Sequence, residues 1–262
     1  MHTMKIRTGL FLLATTTLLL FGCTVSQPRG ITQVNTIDSL LAGVYDGNVT
    51  LAKLGRSGDC GIGTFDRLDG EMLLLDGVFY QIGSDGKVRR PAGGVTTPFA
   101  AVVQFEPELT EVLGPGSYAG VRDRIDALIP TRNLFAAVRL HGTFRKMRTR
   151  SVPAQTKPYP PLAEVTKHQP EFELENVRGT VFGFRLPQYV KGINVPGYHL
   201  HFIDDDHTCG GHILGFELES GVLSLETLHR FTMILPENSE AFATADLNRD
   251  RGKELHQVES AR

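Results

Sequence analysis

The sequence predicts an α+β protein of two β-sheet-rich domains with a few short helices. Three observations carry that reading. From Val49 to Arg90, and again after residue 170, apolar residues come in short runs cut by glycine rather than at helical spacing. A clear helical period occurs at Tyr118 to Ile129, where Val121, Ile125 and Leu128 are separated by charges. Strand–helix–strand alternation is missing, which argues against a parallel doubly wound sheet. The 262 residues, 41% hydrophobic and 21% charged, suffice for one large or two small domains with ordinary cores. A net charge of −2 gives no electrostatic footprint for nucleic acid, and three cysteines are too few for a disulfide scaffold.

The N-terminus reads as a processing signal over residues 1–22. Lys5 and Arg7 precede the apolar run Leu10 to Phe21, which is too short to span a bilayer comfortably. The run ends Leu20-Phe21-Gly22-Cys23, similar to a bacterial lipoprotein cleavage box in which Cys23 takes the lipid. The chain is therefore expected to be exported, to the periplasm or cell surface, and tethered through Cys23. Export permits pairing of Cys60 with Cys209, but spacing alone leaves disulfide and free thiols equally open.

Residues 23–36 are polar and read as a flexible tether. An N-terminal α+β domain is expected over 37–152 and a C-terminal β-rich domain over 153–262. Ile37 to Tyr45 suits a short helix capped by Thr36 or Asp38, with Gly47 beyond it. Met72 to Leu75, Asp76-Gly77, then Val78 to Tyr80 is a hairpin signal, and Asp85-Gly86 a second turn. Phe99 to Phe105 suits a strand ended by Pro107. Asn133 to Arg150 reads as a long strand or a bent pair. Pro153, Pro158, Pro160 and Pro161 cannot donate ladder hydrogen bonds and mark the expected domain boundary. Strands follow at Val177 to Leu186 and Val222 to Leu235, and a helix at Arg251 to Val258.

Four of nine histidines fall within fourteen residues: His199, His201, His207 and His212. On a strand His199 and His201 project from one face. If Asp204 to Gly211 turns a hairpin, His212 returns level with them, and three imidazoles converge with a fourth position open. That is the ligand set of a catalytic zinc, although other divalent metals also suit imidazole. His207, in the loop, is the alternative fourth ligand. The run Asp204-Asp205-Asp206 lacks the spaced oxygens of a calcium loop and reads as a solvated turn.

These residues resemble those of the α-acetolactate decarboxylase family. The block Gly197-Tyr198-His199-Leu200-His201-Phe202 through Gly210-Gly211-His212 is similar to its metal motif. Three more segments agree: Gly61 to Phe65 with Leu68 to Glu71, Arg148 to Pro153 with Lys157 to Leu162, and the tail bearing Glu254 and Glu259. The resemblance spans roughly residues 36–262. It implies a dimeric, two-domain zinc enzyme that converts α-acetolactate to acetoin and carbon dioxide, a step of butanediol metabolism. It further implies that His199, His201 and His212 hold the metal, and that Glu71, Arg150 and Glu259 act as acid, base and anion-handling groups near Thr64. Arg148 shares a strand face with Arg150, and Glu254 lies about one helical turn from Glu259, so both pairs stay open at this level.

The chemistry suits those residue types. Decarboxylation of a 2-hydroxy-3-oxo acid leaves an electron pair that delocalises into the adjacent ketone as an enediolate. A metal with neutral ligands stabilises that charge, a guanidinium holds the carboxylate, and a carboxylic acid returns a proton. No organic cofactor is needed, and Gly61-Ile62-Gly63 lacks the rest of a dinucleotide fingerprint. Two other readings use the same histidines. A zinc hydratase or hydrolase would take Glu71 as general base. A non-catalytic metal-binding lipoprotein would want more exposed ligands than His168, His207, His229, His256, Met72, Met147 and Met233 supply.

Overall fold

Glycine-cut apolar runs become strands in the computed structural model, which describes residues 30–259. The expected signal segment and Cys23 lie outside the described residues. The first strands are β1 (Gly30–Val34), β2 (Val49–Thr50), β3 (Cys60–Thr64), β4 (Glu71–Leu75), β5 (Val78–Ile82), β6 (Val88–Arg89), β7 (Thr96–Thr97) and β8 (Ala100–Val103). After them come β9 (Leu109–Leu113), β10 (Gly116–Ser117), β11 (Phe135–Arg150), β12 (Glu171–Leu186), β13 (Gly197–Asp204), β14 (Gly210–Leu228) and β15 (Arg230–Ile234). Helices are few and short: α1 (Ile37–Leu41), α2 (Leu51–Leu54), α3 (Tyr118–Leu128), α4 (Leu162–Val165), α5 (Glu240–Thr244) and α6 (Gly252–Glu259).

Two sheets carry the fold. The first has seven strands in the order β15-β1-β8-β3-β4-β5-β6, antiparallel except for β1 with β15. Strand β4 is buried along its whole length, which is why Met72 to Leu75 form an unbroken apolar run. The β4–β5 turn places both Asp76 and Gly77 at positive φ, 49° and 78°, the geometry an Asp-Gly pair favours.

The second sheet contains β9 to β14, and at one end it closes on itself. β11 pairs β12, β12 pairs β13, β13 pairs β14, and β14 returns to β11, each antiparallel. Irregular register between β11 and β14, at Thr143 to Lys146 and Arg148 to Thr149, bends these long strands as bulges do. Between the sheets, Ile62, Leu73, Ile82 and Ala101 pack against Phe182, Phe184 and Ile203. A second cluster beneath α3 joins Val121 and Ile125 to Phe144, Phe202 and Phe216. A third gathers α1, α4 and α6 around Leu41, Tyr45, Leu162 and Val258.

The structure corrects several expectations. Residues 30–34 of the expected tether form β1, a strand flanked by β8 and β15 with Ile31 and Val34 buried. Its apolar pattern is short, and buried Gln33 is satisfied from far away by the Ile193 carbonyl and the Asn194 side chain. Nor do the sheets divide at residue 153. The second sheet takes β11 from one side and β12 from the other, and the first takes β15 from the C-terminal region. The proline-rich stretch instead wraps α1, accepting from Tyr45 Oη at the Pro160 carbonyl (2.8 Å). Helix α1 stops at Leu41, ahead of Gly43 at φ 94°, rather than running to Tyr45. The apolar run ending at Leu235 splits between two sheets at His229. Cys60 and Cys209 are both free thiols. Among the described residues no helix is long and apolar enough to cross a membrane.

Candidate active site

The closed end of the second sheet brings the three histidines together. His201 on β13 lies directly opposite His212 on β14, and His212 lies opposite Arg150 at the end of β11. His199 joins them from two residues back along β13. The turn between β13 and β14 is tied by Asp204, whose carboxylate accepts from Thr208 N, Thr208 Oγ1 and Cys209 N at 2.6 to 2.8 Å. Asp205 pairs at the surface with Arg178 (3.1 Å). His207 stands apart, its ring tilted against Tyr80 with centroids 4.6 Å apart.

The imidazole centroids are 5.0 to 5.4 Å apart, and one nitrogen from each ring lies within 4.8 Å of the others. All three rings are buried. His201 is oriented by its backbone partner: Nδ1–H donates to the Met72 carbonyl (2.8 Å), so Nε2 carries the lone pair. That nitrogen is buried with no hydrogen-bond partner. Burial, reinforced by the Arg150 charge, pushes the His199 imidazole down to about 3. Burial holds His201 and His212 well below the ordinary histidine range, helped at His201 by His199 and then Arg150, and at His212 by Arg150 and then the two imidazoles. Three neutral, converging nitrogens, one of them orphaned, fit a divalent metal.

Three charged groups face the histidines. Glu71 opens β4, and its Oε2 lies 3.5 Å from His201 Nε2. Glu259 ends α6, with Oε2 3.6 Å from His212 Nε2. Arg150 stands between them, 3.7 Å from Glu71 and 3.9 Å from Glu259. Burial raises both carboxyls to about 7 against the opposing pull of Arg150, and Glu259 adds to the rise of Glu71. Carboxyls so tuned exchange a proton near neutral pH. Thr64 lines the same pocket, its hydroxyl donating to the Gly70 carbonyl (2.7 Å). Ile37, Leu40, Phe99, Val152, Leu162 and Val258 give the pocket an apolar wall.

The two open pairs separate by position. Arg148 is 42% exposed and pairs with Glu171 (3.3 Å), whereas Arg150 is buried in the pocket. Glu254 pairs with Arg249 at the surface (2.7 Å), whereas Glu259 faces inward. Sequence reading missed three contributors: the Met72 carbonyl behind His201, the Val258 carbonyl and Gln169, which both accept from Arg150. Two are backbone atoms, which no residue type advertises. Gln169 carries no motif, and only its place before Pro170 and β12 sets it beside Arg150.

Known proteins resemble this chain along most of its length. The family model described as alpha-acetolactate decarboxylase matches residues 31–249. A relative of that name from Methylococcus capsulatus is 44% identical, covering 89% of this chain and 90% of its own length. Another, from Methanosarcina mazei, is 48% identical over 87% of this chain and 79% of its own. The crystal structure of alpha-acetolactate decarboxylase from Bacillus subtilis strain 168 superposes with a TM-score of 0.86 at 40% identity, covering 88% of this chain and all of that one. Matched along most of its length in sequence and in fold, the chain belongs to the alpha-acetolactate decarboxylase family, a family of carboxy-lyases.

Proposed function

We propose that the protein releases carbon dioxide from α-acetolactate to give acetoin, with a zinc ion held by His199, His201 and His212. The observation that carries the metal is the orphaned Nε2 of His201: a buried, lone-pair-bearing nitrogen among neutral imidazoles costs free energy unless a cation completes it. A zinc ion held there would supply a Lewis acid to stabilise negative charge on substrate oxygens.

The chain's own residues do the rest. Arg150 binds the substrate carboxylate through charge-assisted hydrogen bonds and releases it as neutral carbon dioxide when the carbon–carbon bond breaks. The electron pair left behind spreads into the neighbouring ketone, and the carbon then takes a proton from Glu71 or Glu259. Each stands against a histidine and holds a proton near neutral pH. Thr64, its own proton committed to Gly70, presents hydroxyl lone pairs to the pocket. The apolar wall excludes water and accommodates the substrate methyl groups.

Acetoin formation from racemic α-acetolactate, before and after chelation and with zinc returned, tests this reading. Loss on chelation and recovery with zinc is expected. Full turnover by metal-free protein would remove the metal from the reaction. The same reading extends to an exported homodimer tethered at Cys23, serving acetoin formation for butanediol metabolism. Mass analysis of the N-terminal peptide and light scattering of the purified protein test the tether and the dimer.

A further inference from the structure

A guanidinium has five N–H donors and no acceptor, so whatever orients Arg150 must accept from it. Nη1 donates to Gln169 Oε1 at 3.1 Å, and Nη2 donates to the Val258 carbonyl at 3.0 Å. Both acceptors are uncharged. The two carboxylates stand farther off, at 3.7 and 3.9 Å, and the buried Nε–H has no partner. Gln169 is the one side chain hydrogen-bonded to Arg150 among the described residues. Its backbone is set by Pro170, which keeps the preceding residue extended (φ −66°, ψ 141°). The Pro170 carbonyl accepts from Ser151 N (3.3 Å), which fixes this segment alongside Arg150.

We infer that Gln169 is a positioning residue: its neutral amide oxygen aims the Arg150 guanidinium into the pocket while leaving the positive charge free for a substrate carboxylate. A glutamate has the same reach but would form a two-pronged ion pair and occupy the charge. A leucine would keep the volume and drop the anchor. The inference rests on the reading of Arg150 as the carboxylate clamp.

The test compares two inhibitors of the zinc-loaded chain, 2-hydroxyisobutyrate, which carries a carboxylate, and acetoin, which does not. Gln169→Glu should weaken 2-hydroxyisobutyrate about tenfold and raise KM by a similar factor, with acetoin binding changed less than about twofold and kcat falling less than KM rises. Gln169→Leu should show the same order of effects with a smaller loss, and serves if the glutamate variant does not fold. Equal loss of both inhibitors, or no loss of either, in a folded variant would overturn the role of Gln169. If the unsubstituted protein and Arg150→Ala bind 2-hydroxyisobutyrate alike, the clamp reading itself fails, and the inference with it.

Discussion

The three histidines come from fourteen consecutive residues on one strand pair, whereas the groups facing them come from β4, the end of β11 and α6. The first half of the site is held by ladder hydrogen bonds of a sheet that closes on itself. The second half is drawn from separate elements: Arg150 ends a strand of that same sheet, Glu71 belongs to the other sheet, and Glu259 hangs on an eight-residue helix. Where neighbours in sequence are neighbours in space, spacing suffices to bring ligands together. Where a site is assembled across the fold, each group depends on a different set of contacts, and each can be lost separately.

That contrast predicts which changes remove metal and which remove only chemistry. His201→Ala should have the largest effect, abolishing bound metal and lowering turnover by at least about 10³-fold. It also removes the Nδ1–H bond to the Met72 carbonyl, costing about 0.5–1.5 kcal/mol of stability, read by denaturant unfolding. Leu255→Ala should loosen α6, because Leu255 and Val258 are the residues that bury this helix against α1 and α4. Turnover should fall about tenfold with metal content unchanged, since Glu259 is displaced while the strand pair is untouched. Metal loss in that variant would show that the two halves are not independent. Arg148→Ala and Glu254→Gln should have the smallest effects, within about twofold in rate and about 0.5 kcal/mol in stability, because both ion pairs are at the surface.

The same contrast explains what the sequence disclosed. The meeting of His199, His201 and His212 follows from a period of two and one turn, and the Asp76-Gly77 hairpin and α3 follow from equally local signals. Strand β1 reads as tether because its stability comes from partners 66 to 200 residues away, and its polar Gln33 finds its acceptor and donor at Ile193 and Asn194. Arg148 and Arg150 are indistinguishable by pattern, and only the packing of α6 and the Gln169 segment buries one of them. Glu259 had no local signal at all. Its place in the pocket is a consequence of tertiary docking, and family likeness was what pointed to it. The prolines after residue 152 were legible as a loop but not as one that wraps α1, since composition does not reveal what a loop packs against.

The proposed function divides the labour: the histidine half would hold zinc and the opposing half would handle substrate. Arg150→Ala is the sharpest test, because Arg150 stands between both carboxylates and lies opposite His212 without being a ligand. Zinc content and acetoin formation are to be measured on one preparation of that variant. Zinc should stay bound as in the unsubstituted protein, with acetoin formation reduced about 10²-fold or more. Zinc lost together with activity, or activity retained, would contradict it.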